Sequence, residues 1–143
     1  MLEEGQAAPD FTAEDQDGTT VSLSDFEGRT VVLYFYPKDD TPGCTKEACS
    51  FRDNLQRLEE RDVAVLGVSA DTAESHSDFA EKYGLGFTLL ADPDKDIIEA
   101  YGVEGRFGNA ARVTFLVNGD GVIERVFEDV DPENHAEQVL EAL

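Results

Sequence analysis

The chain holds two cysteines, Cys44 and Cys49, and both lie in one stretch, Thr30 to Cys49, which reads TVVLYFYPKDDTPGCTKEAC. A thiolate is a nucleophile and a pair of sulfurs can be oxidised, so the local setting of each thiol decides what chemistry is open to it. Thr41-Pro42 reads as a helix start, with the threonine hydroxyl at the N-cap and proline at the first helical position, where its missing N–H costs nothing. Cys44 then falls in the first turn, where the amides have no intrahelical partner and the helix dipole places partial positive charge. A thiol so placed is expected to ionise more readily than a free one, whose pKa is about 8.5. Asp39 and Asp40 would oppose this if they lay close by, and they are expected to point into solvent.

Cys49 follows five residues later. On an ideal helix that offset separates the Cα atoms by roughly 8.7 Å, from the rise of 1.5 Å and turn of 100° per residue. A disulfide tolerates about 7 Å at most. The sulfurs can therefore bond only if the start of the helix unwinds, which makes the pair a poor structural staple and a candidate redox switch. Spacing alone does not separate such a switch from two incidental thiols.

The elements around this stretch can be read as its support. Val31 to Tyr36 is β-branched and aromatic without polar interruption, the pattern of a strand buried on both faces of a largely parallel sheet, and Pro37 ends it. Before it, Pro9 to Leu23 alternates around Asp17-Gly18 as a β-hairpin, and Ser24 to Gly28 forms a capped turn. After it, Cys44, Ala48, Phe51, Leu55 and Leu58 mark one face of a helix. Val63 to Val68 is a second buried strand. Asp71-Thr72 caps an amphipathic helix over Glu74 to Tyr83, closed by Gly84. Phe87 to Ala91 reads as a strand, and Asp92-Pro93 as the start of a helix through Tyr101, ended by Gly102. Gly105 to Asn109 is a loop. Strands at Ala111–Val117 and Val122–Phe127 flank the turn Asn118-Gly119-Asp120-Gly121. Pro132 to Leu143 is a last helix, capped by Asp131. Strands alternating with helices, then a hairpin and a helix, predict an α/β fold around a mixed central sheet, in one domain over residues 1–143.

Pro37, Thr41 and Cys44 fit the pattern Pro-x3-Thr-x2-Cys, and YPKDDTPGCTKEAC carries a second cysteine five positions after the first. In these features, and over nearly its whole length, the chain resembles the peroxiredoxins, in particular the Q-type, or bacterioferritin comigratory protein, branch. The resemblance implies a thioredoxin-like fold with an N-terminal β-hairpin extension. It also implies a thiol-dependent peroxidase that reduces hydrogen peroxide and organic hydroperoxides. Cys44 would attack the peroxide and Cys49 would condense with the resulting sulfenic acid. Thr41, Arg112 and the amides of Gly43 and Cys44 would stabilise the departing oxygen, and Pro37 and Pro42 would shield the thiolate and shape the pocket. A thioredoxin-like dithiol protein would reduce the disulfide, with no metal or organic cofactor, and the chain would act as a monomer.

Several of these residues also have plainer readings. Thr41 on sequence alone is an N-cap, and an arginine at a strand start in so acidic a chain is usually a solvated ion pair. Arg106 is the rival to Arg112, and the resemblance favours Arg112, because the Q-type pattern has an arginine followed by alternating apolar residues. Glu47 reads as a first-turn acid that favours the helix, outside the catalytic set. A zinc site built from Cys44, Cys49, His76 and His135 is disfavoured by their spacing, and both histidines are expected on helix surfaces. A general disulfide reductase, or a redox-sensing holdase that exposes apolar surface on unwinding, would use the same two cysteines.

Composition narrows the partners. The chain has 143 residues, 41% of them hydrophobic, enough for an ordinary core. It carries 32 acidic against 11 basic residues, a net charge of −21. The acids are spread between apolar periodic segments, which fits a folded domain with an acidic skin. Nucleic acid and anionic membranes would be repelled. The charge also suggests an origin in a salt-rich cytoplasm. The start, MLEEGQAAPDF, lacks the features of a signal peptide, so a cytoplasmic location is expected.

Overall fold

The computed structural model describes all 143 residues. The strands are β1 (Thr12–Asp15), β2 (Thr20–Ser22), β3 (Thr30–Phe35), β4 (Val63–Ser69), β5 (Thr88–Ala91), β6 (Val113–Val117) and β7 (Ile123–Phe127). The helices are α1 (Pro42–Glu59), α2 (Ala73–Tyr83), α3 (Asp96–Tyr101) and α4 (His135–Ala142). All seven strands form one sheet in the order β2-β1-β5-β4-β3-β6-β7. β3, β4 and β5 run parallel, and β1–β2, β1–β5, β3–β6 and β6–β7 pair antiparallel. The fold is thioredoxin-like, with the β1–β2 hairpin as its N-terminal extension.

β3 is central because both its faces are apolar. Val32, Tyr34 and Tyr36 enter a core shared with Ala48, Phe51 and Leu58 of α1, Phe79 of α2 and Val139 of α4. Val31, Leu33 and Phe35 enter the opposite core, with Ile97, Ile98 and Tyr101 of α3 and Phe115 of β6. Burying each such side chain stabilises the fold by about 1.5–3 kcal/mol. Gly67 of β4 is a close approach, since a Cβ there would lie 2.9 Å from the Tyr34 ring. No helix is long and apolar enough to cross a membrane.

Two helix starts differ from the sequence reading. α3 begins at Asp96, not at Asp92-Pro93, because Asp92 folds back and accepts hydrogen bonds from the Ile97 and Ile98 amides at 3.2 and 2.8 Å. Lys95 takes a left-handed conformation to allow this (φ 64°). In the last segment Pro132–Asn134 forms a 3-10 turn, and the α-helix proper starts at His135.

This architecture delivers three segments to one end of the sheet. The parallel β3–β4 register pairs Phe35 with Val68, and the antiparallel β3–β6 register pairs Phe35 with Val113. The loop leaving β3 toward α1 therefore emerges beside Arg112, the residue just before β6, and beside the connection from β4 to α2.

Candidate active site

α1 starts as its sequence implies, with Thr41 in extended conformation at the N-cap (φ −97°, ψ 156°) and Pro42 first in the helix. The Thr41 hydroxyl does not cap. It donates to the Lys38 carbonyl oxygen at 2.9 Å and tightens the loop instead. Cys44 lies in the first turn with 1% of its surface exposed, and Cys49 is half-buried further along the same unbroken helix. Both are free thiols.

The Arg112 guanidinium closes over this turn. Its Nη2 donates to Cys44 Sγ at 3.3 Å and its Nη1 to Glu47 Oε1 at 2.7 Å. Gly43 makes the approach possible, because a Cβ there would lie 3.0 Å from Nη2. Burial works against the charge on Arg112, but Glu47 and Cys44 outweigh it and leave its pKa raised. Arg106 lies exposed on the 3-10 turn Arg106–Gly108 and makes no contact with either thiol. Pro37 is half-buried and Pro42 exposed at the two ends of the loop.

Glu47 is the residue that sequence reasoning underrated. It is fully buried, and burial pushes its carboxyl up to about 7 against the opposing pull of Arg112. Oε1 holds Arg112, whereas Oε2 has no partner and lies 3.9 Å from His135 Nε2. His135 is itself buried, contrary to its expected place on the surface. Its Nδ1 faces Gln138 Oε1 at 2.8 Å and its Nε2 faces Thr114 Oγ1 at 2.8 Å, an arrangement suited to a neutral ring. Burial lowers the His135 pKa in keeping with this.

The other histidine and the two loop aspartates also depart from expectation. His76 is fully buried, and Asp39, expected in solvent, is 8% exposed and bonded to it. Asp40 is exposed but held, by Lys82 Nζ and the Tyr83 hydroxyl at 2.7 Å each, in a left-handed conformation (φ 56°). Those two bonds lower its pKa. The cysteines and histidines do not gather as ligands. The one group of such side chains close enough to share an ion is Asp39, Asp71 and His76, and hydrogen bonds already engage all three.

Chemically, a buried sulfur at a helix start, a fixed cation 3.3 Å from it and two unpartnered first-turn amides form a setting for an anionic nucleophile and a developing oxyanion.

The sequence matches the AhpC/TSA family over residues 4–126. It is 47% identical over 146 residues to peroxiredoxin Bcp of Escherichia coli, covering 97% of this chain and 94% of that protein. The fold is similar to peroxidoxin BcpB from Mycobacterium tuberculosis, with a TM-score of 0.92, 33% identity and coverage of 99% and 96% of the two chains. It is also similar to the bacterioferritin comigratory protein of Xanthomonas campestris, a structure described for its alkyl peroxide reduction activity. There the TM-score is 0.87 and the identity 33%, over 92% and 88% of the two chains.

Proposed function

The chain belongs to the AhpC/TSA family as a thiol-dependent peroxidase, and from that premise we propose that Cys44 is its peroxidatic residue and Cys49 its resolving one. The observation that carries the assignment is the Arg112 guanidinium donating to Cys44 Sγ at 3.3 Å, whereas Arg52, the cation whose charge Cys49 feels, gives its hydrogen bonds to Asp53 and the Tyr83 carbonyl oxygen. The Cys44 thiolate attacks the terminal oxygen of a hydroperoxide in line with the O–O bond. The S–O bond forms as the O–O bond breaks, and the electron pair leaves on the distal oxygen, which takes a proton and departs as water or an alcohol. Arg112 and the Gly43 and Cys44 amides stabilise that leaving oxygen, as forked donors aimed at developing charge do. Thr41 joins them once its hydroxyl turns from the Lys38 carbonyl. Pro37 and Pro42 bound the approach to the sulfur.

Cys44, now a sulfenic acid, condenses with the Cys49 thiol to a disulfide and releases water. The five-residue offset on one helix requires the first turn of α1 to unwind for this step. A dithiol protein of the thioredoxin kind then reduces the disulfide by exchange and is itself oxidised. The acidic surface supports action as a monomer.

The test is turnover of hydrogen peroxide and an organic hydroperoxide with thioredoxin as electron donor. Cys44→Ser abolishes consumption. Cys49→Ser completes a single round and leaves a sulfenic acid that dimedone labels. A Cys44→Ser protein that still consumes peroxide at the wild-type rate overturns the assignment.

A further inference from the structure

The loop between β3 and α1 is tied down by a network that the peroxide chemistry does not use. Asp39 Oδ1 accepts from the Tyr36 hydroxyl at 2.6 Å. Asp39 Oδ2 accepts from the Ser75 hydroxyl at 2.8 Å and lies 2.7 Å from His76 Nδ1. The Asp39 amide donates to Asp71 Oδ2 at 2.9 Å, and that oxygen also accepts from the Ser69 hydroxyl at 2.6 Å. On the far side of the imidazole, His76 Nε2 is 2.9 Å from the Leu90 carbonyl oxygen.

The hydrogens in this network can be counted. A carbonyl oxygen only accepts, so His76 Nε2 carries a hydrogen. A carboxylate also only accepts, so the 2.7 Å contact between Oδ2 and Nδ1 needs a hydrogen of its own. A neutral imidazole supplies one hydrogen, not two. Tyr36 cannot make up the difference, because its single hydroxyl hydrogen is spent on Oδ1, and burial together with the Asp39 carboxylate keeps that hydroxyl protonated. The folded pair therefore holds one proton more than a carboxylate and a neutral imidazole would hold apart.

We propose that Asp39 and His76 share a buried proton and act as a positioning pair that clamps the entry of the α1 loop to α2, so that melting of the first turn stops at Asp39. The role in the disulfide step rests on the peroxidase reading above; the shared proton does not. Without that proton two acceptors face each other in a buried site, and the clamp opens. Opening releases the proton when the pH exceeds histidine's ordinary value of about 6.5, so the clamp weakens as pH rises. The charged groups around it are Asp71 from the β4–α2 connection, and Asp40, Glu74, Asp78 and Lys82, which line the same cleft of about 370 Å³.

The experiment is hydrogen–deuterium exchange of the Asp39–Glu47 amides between pH 7 and 9, corrected for intrinsic rates. It is run in a Cys44→Ser, Cys49→Ser background so that no thiol titrates and no peroxide chemistry intervenes. Glu47, at about 7, still titrates at the lower end of this window, so the slope is read between pH 8 and 9, where that carboxyl is about nine-tenths ionised or more. The opening constant should rise by roughly three- to tenfold per pH unit. In Asp39→Asn the new amide donates to a neutral His76 Nδ1, the extra proton is no longer needed, and the profile should be flat. Asp39→Ala should lose protection at every pH. In the oxidised wild type, Asp39 should keep its protection while Thr45 to Ala48, the first hydrogen-bonded amides of α1, lose theirs. A flat profile in the Cys44→Ser, Cys49→Ser protein, the same slope in Asp39→Asn, or loss of Asp39 protection on oxidation would each sink the proposal, whatever the peroxidase assay returns. If Asp39→Asn does not fold, the slope in the parent background decides alone.

Discussion

Arg112 is aimed by Glu47: one nitrogen of the guanidinium is fixed on the buried carboxylate at 2.7 Å, and this leaves the other directed at the Cys44 sulfur. Lysine keeps the charge but cannot satisfy both partners at once. Arg112→Lys should lower kcat/KM for peroxide by about 10- to 100-fold, and Arg112→Gln by about 100- to 1000-fold, the scale for removing an oxyanion donor. Stopped-flow oxidation of Cys44 measures this. Near wild-type rates in Arg112→Gln would show that the contact is merely structural.

Gly43 admits the guanidinium to the sulfur. In Gly43→Ala the added methyl would meet Arg112 Nη2 at 3.0 Å, so the guanidinium must withdraw by a few tenths of an ångström or more. Peroxide reactivity should fall by roughly tenfold, a barrier change near 1.4 kcal/mol. Alanine is also the better helix former, by about 1 kcal/mol at interior positions. The expected variant is slower but no less stable, and urea melts beside rate measurements would reveal an unwelcome loss of both.

Glu47 makes stability depend on pH. Its folded value of about 7 exceeds the ordinary 4.5, so the folded protein keeps a proton that the unfolded chain gives up between those two values. Stability should therefore fall as pH rises through this window, by about 3 kcal/mol at most at 1.36 kcal/mol per unit, and level off above it. Glu47→Gln has no such proton. Denaturant unfolding of both proteins from pH 4.5 to 8 should give curves that diverge across the window, and parallel curves would refute the burial argument.

Few of the acidic residues are neutralised. The four Lys and Arg ion pairs, Arg29–Asp62, Arg52–Asp53, Lys82–Asp40 and Arg112–Glu47, leave most of a net charge of −21 unbalanced. Self-repulsion of this kind reaches over a Debye length of about 30 Å at 0.01 M salt and about 10 Å at 0.1 M. The melting temperature should rise by roughly 3 to 7 °C between 10 mM and 0.5 M sodium chloride, on the usual scale for about 1–2 kcal/mol in a domain of this size. A melting temperature indifferent to salt would contradict it.

The central strand, the helix opening at Pro42 and the hairpins were legible because their signals are local: an apolar run, a proline after a threonine, an Asp-Gly turn. Arg112 beside Cys44 came from the family pattern, since no spacing rule links residues so far apart in sequence. The histidines were misread for an avoidable reason. His76 shares a helical stripe with Phe79 and Tyr83, and His135 with Val139, at spacings of three, four and seven, which should have placed both on packed faces. Glu47 also belongs beside Ala48 and Phe51 on the buried side of α1. Asp39 gave no such warning. Its partners Asp71, Ser75 and His76 lie more than thirty residues away, and only the folded sheet brings them to the loop.

Placing both sulfurs on one helix also decides a race. Once Cys44 is oxidised, a second peroxide can drive it on to sulfinic acid, a dead end, in a bimolecular step whose speed scales with peroxide. Its competitor, with Cys49 in the resolving role proposed above, rides on the same helix and can close only while the first turn is open. Closure would thus proceed at a pace set by how often that turn opens, which dilution cannot slow, and hyperoxidation would gain ground as peroxide rises or when Cys49 is lost.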